Sequence, residues 1–236
     1  MNVLTTMDPL LIAAAVIPAV WLLVKVYRAD RLEREPIGLI LLLVVFGALS
    51  TALAMVTETI GEYALQTVFS ENSLIYLILE YYLVVALSEE GFKLLVLRWR
   101  TWRSPNFNCQ FDGVVYAVSV SLGFALWENI LYVGMYGFGT ALARAVTAVP
   151  GHACFGVFMG IWYGAARRYA NGWDPRGAKI CLRRALWIPV LIHGTYDFIL
   201  SLNTDYSSLI FIVFIIIMFL TARRRVKIVS ERDRYI

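Results

Sequence analysis

Charge is scarce in this sequence. Of 236 residues, 16% are Asp, Glu, Lys or Arg and 60% are hydrophobic, with a mean hydropathy of +0.68. Average soluble domains carry nearer ~25% charged residues, so this is not a soluble globular composition. Histidine is rarer still, with His152 and His193 alone. No HExxH pair exists, so nothing in the sequence demands a metal. The three cysteines, Cys109, Cys154 and Cys181, are odd in number, and two fall in or beside predicted cytoplasmic loops where thiols stay reduced. Neither a structural disulfide nor a cysteine zinc site is expected. Internal repeats, low-complexity tracts and separating linkers are also missing, which leaves a single membrane-embedded domain over 1–236 with a motif-bearing core at about 74–202.

What is present is a series of apolar windows, several of them long enough at ~20 residues to cross a bilayer as helices. The formal charge of +4 does not point to nucleic acid, because the basic residues fall in four clusters between or after apolar runs. These are Arg28, Arg31 and Arg34; Arg98, Arg100 and Arg103; Arg167 to Arg184; and Arg223 to Arg234. Such clusters mark cytoplasmic loops. The intervening loops near Glu58–Glu71, Gly134–Thr140 and Asn203–Ser208 hold no Lys or Arg, so the alternation is complete.

The resulting expectation is an all-α, polytopic bundle of about seven transmembrane helices, N-terminus out and C-terminus in. The spans run at about Pro9–Tyr27, Ile37–Thr59, Leu74–Leu97, Asp112–Val133, Thr140–Ala166, Ala185–Leu202 and Leu209–Thr221. The first is read as a retained helix, since Lys25 and Arg28 follow its apolar part and no basic region leads it. Pro150–Gly151 is expected to kink or open the fifth. Arg144, near the start of that span, is expected to snorkel to the outer interface.

One stretch, LVVALSEEGFKLLVL at Leu83–Leu97, sets two adjacent carboxylates and a lysine inside an apolar run. A charge left in hydrocarbon costs at least ~3 kcal/mol, so these groups should face a protein interior or a wet cavity. Lys93 lies four residues after Glu89 and three after Glu90, within helical reach of either. Glu90 with Lys93 reads as a structural pair, which leaves Glu89 available. The next three spans supply Phe124, Glu128 and Asn129; His152; and His193 with Asp197. Both histidines therefore sit in apolar segments beside other ionisable groups. Glu89 and His193 lie nine residues in from Arg98 and Arg184, about 13 Å at ~1.5 Å per residue, near the middle of a ~30 Å core. Glu128 counts about five residues beyond that level. His152, Gly156, Gly160 and Gly164 recur every four residues, a stripe expected to let a neighbouring helix approach. Glu58, Glu80, Asp112 and Arg144 are read as structural or interfacial.

Three chemistries use these residue types. Glu89 as general base on water, with imidazoles donating to an oxyanion, gives peptide hydrolysis. His152, His193 and a carboxylate such as Glu128 around zinc give metal-assisted hydrolysis. The same polar seam also suits proton or ion transport.

SEEGFK at Ser88–Lys93, FDGVVYAVSVSLGFALWENILY at Phe111–Tyr132, GHACFGVFMG at Gly151–Gly160 and HGTYDF at His193–Phe198 resemble, in order, the motifs of the PrsW family of intramembrane proteases. That family is distantly related to the type II CAAX prenyl endopeptidases and to the Aph-1 subunit of gamma-secretase. The resemblance implies site-one cleavage of a single-pass anti-sigma factor or similar regulator in the cell membrane. It implies Glu89 as the water-activating base, Glu90 paired with Lys93, and His193 with Asp197 at the oxyanion. CAAX proteases have FxxxH where this chain has Phe124 to Glu128, so His152 is expected to assist the base. A glutamate mechanism without cofactor is favoured, with zinc as the alternative. A non-catalytic Aph-1-like scaffold is the alternative from another functional class.

Overall fold

The computed structural model describes residues 9–71, 73–202 and 204–236. Among these the chain is helical and forms seven rods. The first two are α1 (Pro9–Ala29) and α2 (Ile37–Gln66). The third runs without a break through α3 (Leu74–Leu79), a π-helical segment (Glu80–Ala86) and α4 (Leu87–Thr101). There follow α5 (Asp112–Tyr136), the pair α6 (Phe138–Val146) and α7 (Ala148–Asn171), then α8 (Pro175–Ser201) and α9 (Ser207–Glu231).

Four stretches are long and apolar enough to cross a membrane: Ile12–Ala29, Ile37–Gln66, Asp112–Tyr136 and Phe138–Asn171. The remaining rods carry charge. Glu80, Glu89, Glu90 and Lys93 interrupt the third, and basic residues occupy the first half of α8 and the end of α9. The outer surface nevertheless matches a bilayer. Leu41, Val45, Leu49, Leu53, Val56 and Ile60 stand exposed along α2, and Ile210, Val213, Ile216 and Ile217 along α9. Apolar stripes of this extent mark contact with lipid or protein rather than water.

The helices outrun the apolar windows. α8 starts at Pro175 rather than Ala185, with Asp174 accepting the Gly177 N–H at 2.9 Å as its cap and Pro175 opening the helix. α9 continues to Glu231 rather than Thr221. An apolar window does not show how far a helix continues into polar sequence. The expected break at Pro150–Gly151 lies elsewhere. Pro150 is in the first turn of α7, where its missing N–H has no intrahelical partner to lose. The chain instead turns at Gly137, whose φ of 80° suits glycine, and again at Thr147. Of the expected loop Asn203–Ser208, Asn203 lies outside the described residues.

α5 is the axle. Every residue from Asp112 to Ala125 is buried, as suits a helix with small and apolar side chains all round. α1, α2, α4 and α7 pack around it. The glycine stripe of α7 is the α5–α7 seam: a Cβ at Gly160 or Gly164 would collide with backbone at Gly113–Val114 or Gln110. All three cysteines are buried free thiols. Burial and neighbouring carboxylates, Asp112 foremost, push Cys109 up to about 12.

Candidate active site

α4 is built inside out. Its buried face carries Glu89, Glu90, Lys93, Leu97 and Thr101, while Leu95 and Trp99 point outward. Charged groups are thereby turned to the bundle interior, where partners from α5, α7 and α8 meet them.

Lys93 is the hub. Its Nζ donates to Glu89 Oε2 at 2.9 Å and Glu90 Oε1 at 2.8 Å, and lies 3.1 Å from His152 Nδ1. The ammonium also sits 4.0 Å from the centre of the Phe124 ring, a cation–π contact that explains an aromatic there. The fully buried Lys93 is thus compensated on every side. Glu128 does reach the site, despite its sequence depth, because His152 Nε2 lies 2.9 Å from its Oε2. His193 Nδ1 is 3.1 Å from Glu90 Oε1 and 4.0 Å from Glu89 Oε2, and its Nε2 is 3.1 Å from Asp197 Oδ2. The two imidazoles are 5.5 Å apart, and Phe155 stacks on His193 at 4.5 Å.

These groups border a pocket of about 550 Å³. Glu89, Phe124, Glu128, His152, His193 and Asp197 line it; Glu90, Lys93 and Asn129 do not. Asn129 instead donates from Nδ2 to the Ala15 carbonyl at 2.9 Å, tying α5 to α1, and accepts from Arg144 Nε at 3.0 Å. A larger groove, about 1380 Å³, lies toward the basic ends of α4 and α8 beside Arg98, Lys179 and Arg183, and none of the candidate residues borders it.

Two lining residues contradict the sequence reading. Arg144 does not snorkel: its Nη2 lies 2.9 Å from Glu128 Oε2, and its guanidinium covers the Tyr132 ring at 4.1 Å. Glu58 of α2 is no loop-end charge, for it borders the pocket with Oε1 buried and unpartnered. Helical phase on α6 and α2 was the only available signal, and neither helix had a motif to anchor it. Glu80, by contrast, stays outside the pocket.

The PrsW family profile, described as that of an intramembrane metalloprotease, matches residues 35–222. Protease PrsW of Oceanobacillus iheyensis is 35% identical over 94% of this chain and 96% of its own length. The proteases of the same name from Halalkalibacterium halodurans and Bacillus subtilis are each 32% identical, over 95% and 87% of this chain and 99% and 90% of their own lengths. No solved structure matches.

The family's description raises a metal. One set of three donors converges in the pocket region, Glu89, Glu90 and His152, with ligand atoms within 4.8 Å of one another. Lys93 Nζ already stands 2.8 to 3.1 Å from all three, in the place a cation would take. The other conceivable set, His152, His193 and Glu128, is also engaged: Glu128 by Arg144 and His152, His193 by Glu90 and Asp197. As arranged, the residues do not fit a metal here. The extent of the match over both the family profile and the curated relatives settles the kinship: the chain belongs to the PrsW family of intramembrane proteases.

Proposed function

We propose that Glu89 is the general base of a metal-independent endopeptidase that cuts a single-pass membrane protein, such as an anti-sigma factor, in the cell membrane. The observation that carries this reading is the division of the glutamate pair. Glu89 borders the pocket, with one oxygen held by Lys93 and the other left for water, whereas Glu90 is sealed away.

In the reaction, Glu89 takes a proton from water and the hydroxide oxygen adds to the scissile carbonyl carbon. Charge develops on the carbonyl oxygen. His193 Nε2–H is the donor for that oxyanion, and Asp197 must yield it as substrate binds. The protonated Glu89 then passes its proton to the leaving amine as the C–N bond breaks. Lys93 keeps Glu89 ionised-form geometry fixed, and His152 orients Glu128. All seven rods span the bilayer on this reading, with the N-terminus out. The pocket then opens toward the outer face, because Glu58, Tyr136, Arg144 and Thr147 on its rim belong to the end free of basic clusters.

Cleavage of candidate single-pass proteins in liposomes tests the assignment, with a Glu89→Gln control and a zinc chelator. Glu89-dependent, chelator-resistant cleavage is expected. Cleavage abolished by the chelator contradicts the metal-free mechanism. Proton flux in sealed vesicles without cleavage favours transport.

A further inference from the structure

At the far end of α5 from the pocket, three carboxylates from two stretches of chain converge. Asp30 follows α1, Glu35 precedes α2, and Asp112 opens α5. All three are at least nine-tenths buried, at 4%, 3% and 0% exposure, and one oxygen from each lies within 4.8 Å of the others. We propose that Asp30, Glu35 and Asp112 form a binding site for a hard divalent cation, of the Ca²⁺, Mg²⁺ or Mn²⁺ class.

The case rests on what these groups lack. No Lys, Arg or His among the described residues pairs with any of them; Arg31, next to Asp30 in sequence, pairs instead with Glu231 at 3.7 Å, where both are exposed. Glu35 Oε2 accepts from the Tyr116 hydroxyl at 2.5 Å, and Asp112 Oδ2 accepts from the Asn108 and Cys109 N–H groups at 3.0 and 2.6 Å. That leaves Asp112 Oδ1 and both oxygens of Asp30 buried without a hydrogen-bond partner. The N–H groups of Leu32 and Glu33 lie near Asp30 but close no hydrogen bond on it. Asp233, which holds the Phe111 N–H at 2.9 Å, adds a further negative charge alongside.

A proton shared between Glu35 and Asp112 relieves that pair and leaves Asp30 with nothing. A cation serves all three. Oxygens coordinated at 2.0 to 2.6 Å stand at most about 5 Å apart, which matches the spacing here. The donor set is purely oxygen, without the nitrogen or sulfur that zinc sites prefer. The site would fasten the α1–α2 connection to the start of α5. It would also fasten the C-terminal tail, since Asn108 and Cys109 pair with Ile236 and Tyr235.

Purified full-length protein, stripped with EDTA, is titrated with Tb³⁺, whose luminescence Tyr116 is placed to sensitise. Saturation at one ion per chain and displacement by Ca²⁺ are expected. Affinity should fall at least tenfold in Asp30→Asn and Asp112→Asn and stay unchanged in Glu89→Gln, which separates this site from the pocket. Wild-type affinity in the two aspartate variants, or no saturable binding, overturns the proposal. If those variants do not fold, wild-type melting decides: Ca²⁺, Mg²⁺ or Mn²⁺ raises the melting temperature of the stripped protein, and no response at millimolar ion overturns it.

Discussion

Lys93 Nζ on α4 lies 3.1 Å from His152 Nδ1 on α7, although 59 residues separate them. An ammonium can only donate, so Nδ1 presents its lone pair and the ring proton sits on Nε2, facing Glu128. One buried cation therefore holds Glu89 and Glu90 and also sets the tautomer through which His152 orients Glu128.

Lys93→Met should leave two buried carboxylates without their shared cation. A loss of about 3–5 kcal/mol is expected, together with loss of cleavage. Thermal unfolding in detergent reads it. Adding Glu90→Gln to that background should restore part of the stability, and a wild-type melting temperature for Lys93→Met alone would contradict the hub role.

Arg144→Ala should free Glu128 and loosen the pocket wall. Cleavage is expected to fall roughly ten- to a hundredfold, as it does when a positioning contact is lost. Arg144→Lys should recover only part, because a single ammonium cannot reproduce a fork that meets both Glu128 Oε2 and Asn129 Oδ1. Full activity in Arg144→Ala, measured on the same substrate, counts against it.

The helices and most of the candidate site were legible in the sequence for a physical reason: in an apolar chain, every ionisable group at depth must have company. Glu89, Lys93, His152, His193 and Asp197 follow from it as candidates, and the structure brings the five together. Glu128 was ranked too far out, because counting residues along separate helices does not show how far a side chain of one reaches toward the other: His152 Nε2 on α7 meets Glu128 Oε2 on α5 at 2.9 Å. Arg144 was misassigned because one charge near a predicted interface reads as snorkelling until its partner, 16 residues earlier, is in view. The cluster of Asp30, Glu35 and Asp112 was invisible, since no local spacing links the loop between α1 and α2 to a helix start far along the chain.

Glu58→Gln should retain cleavage within a few-fold. It lines the same pocket as Glu89 and Glu128 with one oxygen buried and unpartnered, and the amide keeps its shape, so stability should change by no more than about 1 kcal/mol. Parallel melting and cleavage assays check this. A hundredfold loss of rate with unchanged melting would place Glu58 in the chemistry.

The division of labour within the glutamate pair is tested most directly by single-turnover cleavage in liposomes, comparing Glu89→Gln with Glu90→Gln. Glu89→Gln should slow the chemical step by about 10²–10⁴-fold with the melting temperature preserved, as removal of a general base does. Glu90→Gln should act chiefly on melting, through Lys93 and His193. Wild-type cleavage by the Glu89→Gln protein would contradict the account.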